Sequence, residues 1–240
     1  MNPVLVPVFP APADTRCRES AAALVGDLAR TLPDVELVAT FLDGSPAGLA
    51  GTMAAMTRPA VVVPAFAAGT AEMMAALFDA AGAAARVEVS RPLGPDPLLA
   101  RATMAKLRAA GARWGDAAVL VAAPGACDSL AMRETRRAAD LLASEWGPRV
   151  SAAVGVSGAD LPEVGEAIAE WRAVGHSRVF VVPYDIAYAA YLPSLHAVAR
   201  AAGAAGVTGP LGPHRLVTDL IVIRYEQAGR PRRDGTVHAA

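Results

Sequence analysis

Histidine is scarce in this 240-residue chain: there are four, and none precedes His176. Cysteine is scarcer, with only Cys17 and Cys127, too few for a disulfide framework or a cysteine metal cage. That usage predicts a reducing, cytoplasmic setting. There is no basic excess. Lys and Arg number 22 against 23 Asp and Glu, a formal net charge of -1, so the surplus cations that neutralise a phosphate backbone are missing and nucleic acid is not an expected partner. Long apolar runs are missing too. The most apolar region, 61–85, is broken by Pro64, Glu72 and Asp79, whereas a membrane span needs about 20 mostly apolar residues in a row. No membrane partner is expected. Met1-Asn2-Pro3-Val4-Leu5 has no basic segment, and Pro7 and Pro10 interrupt the apolar stretch, a poor match to a secretory signal. Aromatic residues make up only 5% of the chain and charged residues 19%, yet 54% is hydrophobic, much of it alanine. That is enough for a sizeable core and excludes a disordered chain.

What is present is a repeat. Arg18-Glu19-Ser20 recurs as Arg133-Glu134-Thr135, and Pro33-Asp34-Val35 as Pro148-Arg149-Val150. Val62-Val63-Pro64 matches Val181-Val182-Pro183, and Leu93-Gly94-Pro95 matches Leu211-Gly212-Pro213. The order is kept and the spacing stays between 115 and 119 residues. Four collinear matches predict a duplicated unit.

Each copy reads as strands alternating with helices. In the first, short apolar runs at 4–9, 35–41, 60–66 and 85–89 predict strands. Helices are predicted over 14–32, where Leu24, Leu28 and Leu32 form a stripe, and over 46–56, 70–81 and 97–110, the last with Pro97 suited to a first turn. The second copy repeats the order, with strands near 117–123, 150–156, 178–184 and 206–208 and helices near 128–145, 162–174, 189–202 and 215–227. This alternation predicts an α/β fold of two tandem domains, each a four-stranded, mainly parallel sheet flanked by helices. The expected division is 1–112, 113–228 and a polar tail, 229–240. Ligands of open parallel sheets bind beyond the carboxyl ends of the strands, so the expected site is a cleft between the two domains.

Leu93-Gly94-Pro95-Asp96-Pro97-Leu98-Leu99 and Leu211-Gly212-Pro213-His214-Arg215-Leu216-Val217 look like an "L-G-x-H/D-P-x-L" segment. Val38-Ala39-Thr40-Phe41-Leu42-Asp43 looks like an "A-F-L-E" strand end, and residues 61–69 look like "V-V-P-L-F-L-x-x-G". In a duplicated α/β chain this set resembles the class II chelatases of tetrapyrrole biosynthesis, in particular the sirohydrochlorin cobalt- and iron-chelatases. The resemblance implies a lyase of cobalamin or siroheme biosynthesis. A divalent metal, Co2+ or Fe2+, would be a substrate and enter a tetrapyrrole-like small molecule as two pyrrolic protons leave, with no organic cofactor. The duplication itself suggests a monomer that carries its own pseudo-twofold. The family places one histidine after strand one ("H-G-S-R"), another after strand three ("G-x-H") and an acid after strand two. Here those histidine places fall near Phe9-Pro10-Ala11 and Pro124-Gly125-Ala126-Cys127, and on Gly69-Thr70-Ala71 and Tyr188-Ala189-Ala190. None holds a histidine. The acid is kept as Asp43, while Ser157 or Gly158 stands there in the second copy.

Candidate site residues each read two ways. Asp43 is a proton acceptor or metal ligand, or a turn residue capping the next helix. Glu72 is an oxygen ligand standing in for the missing histidine, or a first-turn carboxylate that complements the helix dipole. Both carry the catalytic and metal assignments. Phe9, Thr70, Tyr184, Asp185 and Tyr188 are expected to bind substrate. The alternative for the tyrosines, Tyr191 included, is half-buried packing with wet hydroxyls. Cys127 is a soft ligand or an inert small residue, and Asp128 an N-cap. His176, His196 and His238 read as solvated or packed. His214, whose counterpart is Asp96, is expected to cap the closing helix. Alternatives to a metal-inserting enzyme are a non-catalytic tetrapyrrole- or metal-binding partner protein, or an enzyme with different chemistry in the same cleft.

Overall fold

The computed structural model describes residues 2–12, 14–42, 48–82, 86–122, 129–154 and 162–229. The first half runs β1 (Val4–Pro10), α1 (Thr15–Thr31), β2 (Thr40–Leu42), α2 (Leu49–Ala55), β3 (Ala60–Pro64), α3 (Ala71–Gly82), β4 (Val87–Val89) and α4 (Pro97–Ala109). The second runs β5 (Ala117–Ala122), α5 (Ser129–Trp146), β6 (Val150–Val154), α6 (Pro162–Ala173), β7 (Val179–Pro183), α7 (Leu192–Ala201), β8 (Gly206–Val207) and α8 (Arg215–Ala228). The sheets have the orders β2-β1-β3-β4 and β6-β5-β7-β8, and every pairing is parallel. The predicted repeat is thus a repeat of topology.

Several predicted elements come out shorter, and for two of them the reason is local. The run 35–41 touches β1 first at an isolated bridge from Leu37 to Leu5, and regular pairing resumes only at Thr40. The helix predicted from 189 begins at Leu192, with Pro193 in its first turn. That leaves 184–190 as irregular backbone beyond β7, where a ligand-facing loop belongs.

The central strands β1, β3, β5 and β7 are apolar along their whole length because both faces of each sheet are covered. Val4, Val6 and Val8 face one way, with Ala60 and Val62, onto α2 and α3. Leu5, Phe9, Val61 and Val63 face the other way, into a core that also holds Leu120, Phe180 and Val182 of the second sheet. Each such side chain contributes about 1.5–3 kcal/mol on burial, so this shared core welds the halves. The closing helices complete the weld by crossing over. Helix α8 packs on α1 and on β3 of the first sheet, and α4 packs on α5 and β7. The Tyr225 hydroxyl at the far end of α8 donates to the carbonyl of Pro3 at 2.7 Å.

The repeated Leu-Gly-Pro segments have a structural role. Leu93 and Leu211 are buried. Gly94 and Gly212 press against the loop beyond the third strand of their own sheets: a Cβ would fall 2.0 Å from the Ala67 oxygen in one case and 2.6 Å from the Ile186 oxygen in the other, so only glycine fits. The Leu211 N–H donates to the Asp185 carbonyl at 2.7 Å. Asp96 then caps α4, accepting from the Leu98 N–H at 2.9 Å, and His214 caps α8, its Nδ1 accepting from the Leu216 N–H at 3.1 Å. The segments strap down the loops that follow β3 and β7 and start the next helix in the same stroke.

Candidate active site between the two sheets

The order β2-β1-β3-β4 reverses direction at β1 and β3, since β2 lies to one side of β1 and β3 to the other. The crossovers diverge there and leave a crevice outside the carboxyl ends of the strands. A cavity of about 230 Å³ occupies this place. Its walls include Phe9 at the end of β1, Phe41 in β2 and Phe66 and Thr70 beyond β3. Asp185 and Tyr188, from the loop beyond β7, close it from the second half.

The aromatic wall is built by close packing. The rings of Phe9 and Phe41 lie 5.9 Å apart, tilted by 42°. Two exposed arginines of α1 stack over it: Arg18 stands 5.4 Å from the Phe41 ring centre and Arg16 stands 5.9 Å from that of Tyr188. Asp14 positions both by capping α1, its Oδ1 accepting from the Cys17 N–H at 3.0 Å. Tyr188 is pinned through its backbone, whose N–H donates to Ser20 Oγ at 2.9 Å. Thr70 starts α3, its Oγ1 accepting from the Met73 N–H at 3.1 Å.

Asp185 is the carboxylic acid among the described residues that line this cavity. Burial pushes its carboxyl up to about 6. The Tyr191 hydroxyl donates to Oδ2 and pulls in the opposite direction by favouring the carboxylate. Tyr191 itself is held well above its ordinary value, first by burial and then by the facing Asp185, so it stays a donor. A carboxyl poised near 6 beside an apolar cavity has the properties of a general base.

Phe9, Thr70, Asp185 and Tyr188 therefore share one cavity. Tyr184 does not line it. Side chains alternate along β7, and Tyr184 continues the inward face of Phe180 and Val182 into the shared core, where it is 2% exposed. Glu72 stands exposed in the first turn of α3 and is not among the lining residues. Asp43, Cys127, Asp128, Ser157 and Gly158 lie outside the described residues. Of the histidines, His176 packs edge-on to the Trp171 ring at 5.3 Å, His196 is exposed on α7 and His214 is a cap. His238 lies outside the described residues. Sequence reasoning passed over Cys17, a buried free thiol that lines the cavity from the first turn of α1. Its signal was position: it sits in the first turn of the helix that comes after β1. Among the described residues, no three His, Cys, Asp or Glu side chains converge as a metal site, and no helix is long and apolar enough to cross a membrane.

No protein-family model matches the sequence, and no curated protein matches it. Solved structures do match. SirB from Bacillus subtilis with Fe3+ is 17% identical, with a TM-score of 0.72 over 95% of this chain and 96% of that one. The sirohydrochlorin chelatase SirB from Bacillus subtilis subspecies spizizenii, in complex with cobalt, is 16% identical with the same TM-score and coverage. CbiX, the terminal enzyme for biosynthesis of siroheme in denitrifying bacteria, is 22% identical, with a TM-score of 0.66 over 94% of this chain and 99% of that one. Over nearly its whole length, this chain has the class II chelatase fold.

Proposed function

We propose that the protein is a divergent chelatase that inserts a divalent metal, cobalt or iron, into a sirohydrochlorin-like tetrapyrrole seated between its two sheets. The observation that carries this reading is Asp185: a carboxyl titrating near 6 in the wall of a cavity at the strand ends of a chelatase fold. Insertion releases two pyrrolic protons and needs an acceptor close to the macrocycle. Asp185 supplies the acceptor, and Tyr191 steadies it. The aromatic wall accepts a flat ring. Arg16 and Arg18 stack on that wall and meet peripheral carboxylates as bidentate donors.

The metal is a substrate and must be held weakly enough to leave. Asp43, next in sequence after β2, and Glu72, in the first turn after β3, are the proposed oxygen ligands on its way in. The halves proposed to build the site are 1–112 and 113–228. The test is cobalt(II) insertion into sirohydrochlorin by the native chain and by Asp185→Asn and Asp43→Ala. Loss of catalysis with the fold retained supports the reading, and full activity in Asp185→Asn overturns the assignment of the base.

A second reading has its own support. With no converging ligand set among the described residues, the chain would bind a tetrapyrrole, or steady a partner, without inserting metal. Macrocycle binding with no acceleration of insertion would favour it.

A further inference from the structure

A second cleft, of about 400 Å³, lies on the other side of the loop that walls the first. Thr70 and Met73 face the candidate active site, whereas Gly69 and Met74 face this cleft. Its floor comes from Pro92, Gly94 and Pro95 of the strap before α4. Three arginines line it, from three separate segments: Arg91 after β4, Arg137 on α5 and Arg224 on α8.

The cations are held differently. Arg224 is 2% exposed; its Nη2 lies 2.7 Å from Asp96 Oδ2 and 3.2 Å from the Leu93 carbonyl, and its Nε lies 3.2 Å from the Pro92 carbonyl. It is committed to the fold and gives the wall its shape. Arg91 is exposed. Arg137, its side chain 61% exposed, reaches Glu134 at 3.2 Å, and Glu134 is also 3.5 Å from Arg133. Among the lining residues, three guanidiniums stand against one carboxylate, that of Glu134. One more feature marks this wall. Among the described residues, the buried Tyr184 hydroxyl has no hydrogen-bond partner, and it lies 2.8 Å from where a Cβ on Gly94 would stand. It is a donor in want of an acceptor, directly behind the cleft floor.

We propose that this cleft is an oxyanion-binding site, in which Arg91 and Arg137 clamp a carboxylate or phosphate group of a small organic ligand. Guanidiniums bind both groups bidentately, and Arg224, fixed in the wall by its bonds to Asp96 and the Leu93 and Pro92 carbonyls, adds a third positive group to the lining. The site does not depend on the chelatase reading, because it shares no side chain with the aromatic cavity.

The test is calorimetric titration at low ionic strength with citrate and, separately, with inorganic phosphate. The native chain is expected to bind at least one of them saturably, and the preference identifies the group. Arg91→Ala with Arg137→Ala is expected to weaken binding by about tenfold or more, since both charge-assisted donors of the clamp are lost. Glu134→Gln is expected to tighten binding by freeing Arg137. Asp185→Asn, in the neighbouring cavity, is expected to leave it unchanged. Two results would overturn the proposal: no saturable binding of either anion at millimolar concentrations, or binding by the double arginine variant equal to that of the native chain.

Discussion

Arg224 of α8 places its Nη2 2.7 Å from Oδ2 of Asp96, the residue that caps α4. One carboxylate thus starts a helix with one oxygen and neutralises a buried guanidinium of the other half with its second. Removing one partner of such a pair leaves an uncompensated buried charge, which costs about 3–5 kcal/mol. Asp96→Ala is expected to lose about that much in urea denaturation. Asp96→Asn combined with Arg224→Met keeps a capping oxygen and removes the charge, and is expected to recover most of the loss. An Asp96→Ala variant within about 1 kcal/mol of the native chain would show that the pair does not hold the halves together.

The second copy solves the same problem with other residues and predicts a pH dependence. His214 takes the place of Asp96 and accepts through Nδ1, so it caps only when neutral. Burial, and then Lys106, hold its titration below the ordinary 6.5. A group depressed in the folded state contributes stability above its unfolded value that is lost as pH falls through it. His214→Asp, which stays ionised and can meet Lys106, is expected to be the more stable protein between about pH 5 and 6, with a gap that narrows above pH 7. Thermal melts across this range give the comparison, and parallel curves would contradict it.

Asp185 has the opposite sign. Its carboxyl is raised to about 6, so the neutral form suits the fold and the stability it brings is lost as pH rises from 3.8 towards 6. As a base it works only when ionised. The rate of metal insertion is therefore expected to climb through about pH 6. Tyr191→Phe removes the hydrogen bond that favours the carboxylate, so the rise is expected to move to higher pH. An unshifted profile would separate Asp185 from the rate.

Because α8 lies on the first sheet and α4 on the second half, neither half has its core closed by itself. Fragment 1–112 lacks the helix that covers part of β3, where Val61 and Val63 are buried. Each fragment expressed alone is expected to be unfolded or aggregated, and the two co-expressed are expected to co-purify. A soluble, cooperatively folded 1–112 would contradict the exchange of closing helices.

Much of this fold was legible in the sequence because its signals are local. The valine runs of β1 and β3 mark strands buried on both faces, and the repeated Leu-Gly-Pro with Asp96 or His214 marks a strap and a cap. The site was half legible. Being next after a strand predicts nearness to the cavity, and Phe9, Thr70, Asp185 and Tyr188 line it. Tyr184 was misplaced because pleat phase, not proximity, decides which way a side chain points. The crossing of α4 and α8 had no local signal: an apolar helix face says that something will cover it, not which sheet. The perturbation of Asp185 follows from burial in the packed fold, which pattern alone does not encode.

Whether this fold still inserts metal is tested most directly by an anaerobic absorbance titration of the purified chain with sirohydrochlorin, followed by cobalt(II). A chelatase perturbs the macrocycle spectrum on binding and then converts it to the metallated form faster than the uncatalysed reaction. An unperturbed spectrum, with insertion no faster than in buffer, would contradict the proposed activity and leave the shared fold without the shared chemistry.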